Sequence, residues 1–188
     1  MGVFLFMGIY PNPNYRMYWS QNAPNTLVKS ALNGGVNRFE QLKRFLHFNN
    51  NQSKPDDCKD KLYKVRPLIE ALLGNCNSIE PEEYNSVDGQ IIPTKGKSSL
   101  KQCLPKKPHK WGYKVFSRCG RGVSGIIYEF EIYQGKGETK SPPSPLGVTG
   151  DLVVRLCKIL PKHENYKLYC DNFFTSLPLI EISAIMEF

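Results

Sequence analysis

Apolar residues recur at helical spacing in the first part of the chain. Asn37 and Glu40, three residues apart, resemble a capping box, in which two side chains satisfy free backbone N–H groups at a helix start. Behind them, apolar residues follow every three or four positions and predict a helix from about residue 38 to 48. A second helical pattern spans residues 62–73 and contains Pro67, which lacks a backbone N–H and predicts a kink or a fresh helix start.

From about residue 84 the pattern changes to that of β-strands. Alternating, β-branched or aromatic runs predict strands at 84–92, 113–119, 126–133 and 166–170. A Gly- and Pro-rich loop then leads into a predicted helix at 151–160, and a closing helix runs to about residue 186. Three successive strands, a crossover helix and a fourth strand predict an antiparallel meander joined to a parallel pair. The sequence therefore predicts an α+β fold, with a helical region at 1–80 and a sheet region at 81–188.

The positive charge of the chain is concentrated in one interval. The net charge is +8, and the stretch between Asp88 and Glu129 holds nine cations and no acid. Outside that stretch, 16 Lys and Arg balance 17 Asp and Glu. The nine cations are Lys95, Lys97, Lys101, Lys106, Lys107, Lys110, Lys114, Arg118 and Arg121. Such a segment is typical of a surface that binds a polyanion; the alternative is a solvated loop that only aids solubility.

Composition disfavours two classes of protein. No stretch reaches the roughly 20 consecutive apolar residues of a membrane helix, and no signal-peptide cleavage site follows the apolar residues 3–9. The six cysteines include no Cys-x-x-Cys pair, which disfavours a zinc knuckle and a compact disulfide framework. We therefore expect no membrane association and a reducing compartment, either the cytosol or the nucleus.

Four segments of the sequence resemble the piggyBac transposase family and the proteins derived from it. They are Ser86-Val87-Asp88, Lys95 to Gln102, Leu104 to Lys114 and Asp171 to Ser176. The resemblance extends over nearly the whole chain, and its helical first part resembles the region that dimerises and holds DNA in this family. The resemblance implies a nuclear protein whose partners are DNA and either a second copy or a related transposase-like protein.

For the sheet region, the resemblance implies an RNase H-like domain that cuts and joins DNA with two Mg²⁺ ions. Asp88 matches the family's first catalytic aspartate and Asp171 its second, so both are candidate Mg²⁺ ligands. The family's third carboxylate lies well downstream, and we expect the chain to stop before it. Gly89 departs from the family pattern, because many relatives carry glutamate there, and this departure is expected to weaken the strand and the local carboxylate field.

The predicted strand topology also indicates where the two aspartates meet. If 84–92 and 166–170 are neighbouring parallel strands, Asp88 and Asp171 lie at the same end of the sheet, close enough to share one cation. We expect the segment from Lys95 to Lys110 to follow the rim of that site, where it would steer a phosphate toward the metal.

The candidate DNA-binding residues are lysines of the basic interval. They are Lys95, Lys97, Lys101, Lys106, Lys107, Lys110 and Lys114. Trp111 lies among them and has two interpretations, a platform on which one base stacks or a core anchor at the entry to the second predicted strand.

The leading functional hypothesis is a DNA-binding remnant of a DDE transposase with an incomplete catalytic site. One alternative is an enzyme, a fragment of an active cut-and-paste transposase whose remaining sequence lies outside this chain. Another is an interaction module that pairs with full-length relatives through its helices. An in-frame continuation with a further aspartate downstream of Phe188 would favour the enzyme.

Overall fold

The chain forms helices and a sheet in two compact units. The computed structural model describes residues 2–20, 35–105, 108–121, 125–135 and 144–186. The units are Met1–His47, with helices α1 (Gly2–Ile9) and α2 (Val36–Phe45), and Phe48–Phe188. The second unit contains, in chain order, α3 (Arg66–Asn77), β1 (Tyr84–Pro93), β2 (Lys101–Cys103), β3 (Trp111–Gly120), β4 (Ile127–Ile132), α4 (Gly147–Cys157), β5 (Lys167–Cys170) and α5 (Leu177–Met186). No helix within the described ranges is long and apolar enough to cross a bilayer.

Phe39 of α2 is the centre of an aromatic cluster in the first unit. Its side chain is buried, and the ring centroids of Phe4, Tyr15 and Trp19 lie 5.5, 5.9 and 5.1 Å from its own. Because aromatic burial removes a large apolar surface from water, these contacts hold α1 and α2 together.

Helix α2 begins earlier than the capping-box prediction requires. Its N-cap is Gly35, which makes no side-chain capping bond, so Asn37 lies inside the first turn. Glu40 instead accepts hydrogen bonds from the Tyr15 hydroxyl and the Arg16 guanidinium, both at 2.7 Å. The Tyr15 hydrogen bond, together with the charge of Arg16, holds the pKa of Glu40 below its ordinary value. The helix is confirmed, but the capping box is wrong because Glu40 is engaged by residues distant in sequence.

A fresh helix start near Pro67 is confirmed. A short 3-10 helix at Tyr63–Val65 ends where α3 begins, and Pro67 lies in the first turn of α3. Proline is tolerated there because the first-turn N–H groups have no partner within a helix. Arg66 of the same turn donates two hydrogen bonds to Asp60, at 2.8 and 2.6 Å, and thereby lowers the pKa of that carboxyl.

One mixed sheet organises the second unit. Its strand order is β2-β3-β1-β5, and β4 pairs with the part of β3 that follows the β2 pairing. β1 pairs antiparallel with β3 and parallel with β5, which confirms the meander and the parallel pair. The pattern does not reveal β2, since its three residues are too few to show alternation. The α+β class is confirmed, and the predicted change from helix to strand near residue 80 lies inside this unit, where α3 contacts β4.

Helix α4 covers one face of the sheet and builds the core there. Val87 of β1, Phe116 of β3 and Leu156 of α4 are buried together, with 2%, 6% and 2% of their surface exposed. Side chains alternate between the two faces along a strand, and paired residues share a face. The face of Val87 and Phe116 is called the helix face below, and the face of Asp88 is called the aspartate face.

Candidate nucleic-acid interface and carboxylate pair

Asp88 and Asp171 lie side by side on two parallel strands. Val87 pairs with Cys170, the last residue of β5, so Asp88 and Asp171 are the next position along each strand. Neighbouring strands are about 4.8 Å apart, and strand alternation places both aspartates on the aspartate face. Both residues are exposed. The predicted neighbouring parallel strands are therefore confirmed, and their register places the two aspartates at the same end of the sheet.

Each aspartate makes the same local hydrogen bond. Oδ1 of Asp88 accepts from the N–H of Gly89, and Oδ1 of Asp171 accepts from the N–H of Asn172, both at 2.6 Å. Carboxylate oxygens are the ligands that Mg²⁺ prefers, so the pair fits part of its octahedral shell. Within the described ranges, no group of three or more His, Cys, Asp or Glu is placed to hold a metal.

Gly89 directs its Cα hydrogen, where relatives carry a side chain, toward the helix face. A Cβ added at Gly89 would lie 3.4 Å from Cδ1 of Phe116, a residue of the helix face. A glutamate at this position would therefore start on the opposite side of the sheet from the Asp88 carboxylate. Glycine at this position therefore removes no ligand from the aspartate face.

Exposed Trp111 and half-buried Lys101 form a pair on the ribbon of β2 and β3. Trp111 is 55% exposed, and Lys101 Nζ lies 5.6 Å from its ring centroid. The core-anchor interpretation of Trp111 is wrong, because the core lies on the helix face and this ring does not. Lys101 pairs with Tyr113, and Asp88 pairs with Ser117, which is four residues further along β3. Alternation along β3 therefore places Trp111, Lys101 and Asp88 on the same face.

Three other candidate lysines lie in the loops on either side of β2. Lys95 and Lys97 are exposed between β1 and β2, and Lys110 is exposed immediately before β3. Lys106 and Lys107 lie outside the described residues. The exposed lysines therefore follow the two connections that lead into and out of β2, next to Trp111.

Lys114 lies apart from the other candidate lysines. Its Nζ is 4.5 Å from the Phe116 ring centroid and 4.8 Å from that of Phe173, on the helix face. There it helps line a groove of about 600 Å³ between α3, β4 and α4. The structure does not bring Lys114 together with Asp88 or with Trp111.

Arg118 has a structural role, although the charge pattern includes it among the nine cations predicted to bind a polyanion. It is 1% exposed; Nε donates to the Leu156 carbonyl and Nη1 to Oδ1 of Asn85, both at 2.8 Å. Asn85 in turn donates to the Glu82 carbonyl at 2.6 Å. Burial lowers the pKa of Arg118. Its inclusion among the polyanion-binding cations is wrong, because the guanidinium is buried and connects α4 to β1 by hydrogen bonds.

Comparison with known proteins gives a consistent result. The family model described as Transposase IS4 matches residues 1–184. The human PiggyBac transposable element-derived protein 3 is 33% identical over 96% of this chain, which spans 30% of that protein. The human Chimeric ERCC6-PGBD3 protein is also 33% identical over 96% of the chain, which spans 17% of it.

A solved structure shares the fold. It is the cryo-EM structure of a piggyBac transposase synaptic complex with hairpin DNA, with a TM-score of 0.73 and 23% identity. The match covers 96% of this chain and 38% of that one. The chain thus spans well under half of each of these relatives. The family match over residues 1–184, the sequence relatives and the shared fold agree, and the chain belongs to the piggyBac transposable element-derived family.

Proposed function

We propose that this chain is a transposase-derived protein that binds DNA across the aspartate face of an RNase H-like sheet. The topology supports the RNase H-like assignment, because a meander of three long strands is followed by a helix and by a strand parallel to the first. The relatives' names support transposase ancestry.

The shared face of Trp111, Lys101 and Asp88 is the observation that carries the proposal. An ammonium over an exposed indole offers a phosphate contact beside a surface on which a base stacks. A DNA strand bound there lies on the side of the sheet where the two carboxylates are found. A solvated loop that only aids solubility would not require this common face.

Asp88 and Asp171 are the residues that would hold Mg²⁺. When bound, the ion would polarise a phosphoryl oxygen and lower the pKa of a coordinated water. The chemistry of DDE enzymes uses two such ions, and two carboxylates supply few of the ligands for a pair. We therefore propose that DNA binding is retained without strand cleavage.

Salt dependence tests the binding proposal. Anisotropy titrations of duplex DNA should give a log–log salt slope of roughly −4 to −5, as expected for about four to six phosphate contacts. The double substitution Lys101→Ala with Lys110→Ala should make the slope shallower by about 2, to a similar extent on unrelated DNA sequences. Lys158→Ala with Lys162→Ala is the charge-matched control and should leave it unchanged. Affinity that does not vary with salt would refute DNA binding by this surface.

Strand cleavage is the separate test of the carboxylate pair. Incubation of the full chain with piggyBac-type DNA ends and Mg²⁺ or Mn²⁺ should yield no nicked or joined product. Nicking that is metal-dependent and disappears in Asp88→Asn would contradict the proposal and favour the active-transposase alternative.

Pairing through the helices and a nuclear location complete the proposal. Exposed apolar side chains of α1 and α2 support an association surface: Leu5, Ile9, Leu42 and Phe45 are 68%, 71%, 56% and 71% exposed. Size-exclusion chromatography with and without a full-length relative should show a larger species; elution as a monomer in both would rule out pairing. Exclusion of the tagged chain from nuclei would rule out the location.

A further inference from the structure

Arg121 lies beside a stacked pair of tyrosine rings on the aspartate face. Its guanidinium carbon lies 5.6 Å from the Tyr84 ring centroid and 5.4 Å from that of Tyr169. The two rings are themselves stacked, with centroids 6.4 Å apart and planes 20° apart. The backbone fixes this arrangement further, because the N–H of Arg121 donates to the Tyr84 carbonyl at 3.0 Å. The guanidinium is therefore presented in a defined position although it is exposed.

The edge of this guanidinium is available to an anion. None of the ion pairs found among the described residues involves Arg121, and its side-chain contact with the Tyr169 hydroxyl is a long one of 3.5 Å. The neighbouring cation, Lys167, is engaged differently, since it pairs with Glu83 and donates to the Tyr84 hydroxyl. A guanidinium carries its N–H groups in a planar fork that matches a phosphate bidentately.

Arg121 lies on the same face as the two aspartates, within a few nucleotide lengths of them. Ser86 pairs with Tyr169, so alternation places Tyr84, Tyr169 and both aspartates on one face. Tyr169 is two residues from Asp171 and Tyr84 four from Asp88, which corresponds to about 7 and 13 Å along the strands. At about 3.4 Å per nucleotide along a duplex strand, these distances are two to four nucleotides.

Trp111 lies at the other end of the same face. Gly112, its neighbour, pairs with Pro93 at the end of β1, whereas Arg121 contacts Tyr84 at the start of β1. The ten residues of β1 span about 30 Å, and Asp88 lies between its two ends. A strand that contacts both ends passes over the aspartates.

We propose that Arg121, held by Tyr84 and Tyr169, binds a backbone phosphate of a DNA strand that crosses the aspartates from the Trp111 ribbon. Half-exposed Tyr169, with 46% of its surface accessible, offers an aromatic face to an adjacent base. This inference rests on the proposed DNA-binding function and adds a second, separate anchor to it. Sequence reasoning misses the anchor because its three residues come from β1, β5 and the end of β3.

Substitution of Arg121 tests this anchor in the full chain. Arg121→Ala should weaken the affinity for duplex DNA about tenfold at moderate salt and make the salt slope shallower by about 1. The midpoint of thermal unfolding should stay unchanged. Arg121→Lys should restore the slope but not the whole affinity, because a lysine lacks the planar fork. Tyr169→Leu, which keeps an apolar residue in β5, should weaken binding without a change in slope.

Three outcomes would overturn the proposal. One is that Arg121→Ala binds DNA like the parent while Lys101→Ala with Lys110→Ala binds weakly; the proposed function then stands and this anchor fails. Another is that Lys158→Ala, an exposed cation beyond α4, matches Arg121→Ala in slope and affinity. The last is that Arg121→Ala loses poly-glutamate binding as strongly as DNA binding, which would identify the site as one for acidic peptides. Absence of DNA binding by the parent chain would instead refute the proposed function.

Discussion

Arg118 and Arg121 lie three residues apart and serve the two sides of the sheet differently. Arg118 reaches the helix face, where it is 1% exposed and donates to a carbonyl of α4 and to Asn85 of β1. Arg121 lies beside two stacked aromatic rings on the aspartate face and is exposed. The charge is the same, but the first arginine connects elements within the protein whereas the second presents its N–H edge outward. Net charge alone therefore overstates the cations that can meet a polyanion.

Thiol reactivity should show the largest difference between the two sides. Burial, the principal cause, raises the pKa of Cys157, in α4, to about 12, while Cys103 pairs with Trp111 on the exposed ribbon. Because the thiolate is the nucleophile, an alkylating reagent near pH 8 should modify Cys157 about a thousandfold more slowly than an ordinary thiol. Peptide mapping after timed alkylation would measure both rates. Comparable rates for Cys103 and Cys157 would mean that the helix face opens readily.

Replacement of Arg118 should have the next largest effect. Arg118→Met keeps much of the side-chain volume but leaves the Asn85 amide oxygen and the Leu156 carbonyl without their donor, at a cost of about 3 kcal/mol in unfolding free energy. Arg121→Ala is the matched control and should change stability by less than about 0.5 kcal/mol. Urea unfolding would measure both. Equal effects of the two substitutions would remove the distinction between the arginines.

Replacement of Glu129 on the helix face should have the smallest effect on stability, and that effect should depend on pH. Burial is the principal cause that raises its pKa above the ordinary 4.5. A raised carboxyl pKa means that the folded state binds the proton more tightly than the unfolded state, so this contribution to stability is present at low pH and lost as pH rises through the folded pKa. Glu129→Gln should therefore stabilise the protein at pH 7, by at most about 0.5 kcal/mol after solvent screening, and not below about pH 4.

Glu131 provides the control for that substitution. It accepts two hydrogen bonds from Arg155, both at 3.0 Å, so Glu131→Gln loses an ion pair and should be neutral or destabilising at pH 7. A stability gain in Glu131→Gln equal to that in Glu129→Gln would contradict the assignment of the effect to burial.

The strands and their connections could be predicted, but the faces of the central strand could not. Apolar and polar runs predict β1, β3, β4 and β5, and the order of elements predicts that β5 is parallel to β1. Along β3, the successive residues Val115, Phe116, Ser117 and Arg118 are all buried, and this strand has neighbouring strands on both edges. No alternation remains there to separate a buried arginine from an exposed one.

Site residues show the same limit. The aspartates could be predicted because a short motif carries each and the strand order brings the motifs together. The exposure of Trp111 depends on β2, whose three residues give no recognisable period. The rings around Arg121 come from residues 37 and 48 positions away, a pairing that only the sheet register reveals.

Lysine acetylation with and without duplex DNA tests the central claim, that DNA lies on the aspartate face, most directly. Mass spectrometry of the acetylated chain would report each exposed lysine separately at constant protein stability. DNA should protect Lys97, Lys101 and Lys110 and leave Lys158 and Lys162, which are exposed beyond α4, unchanged. Uniform protection of all five lysines, or protection of Lys158 and Lys162 alone, would contradict the claim.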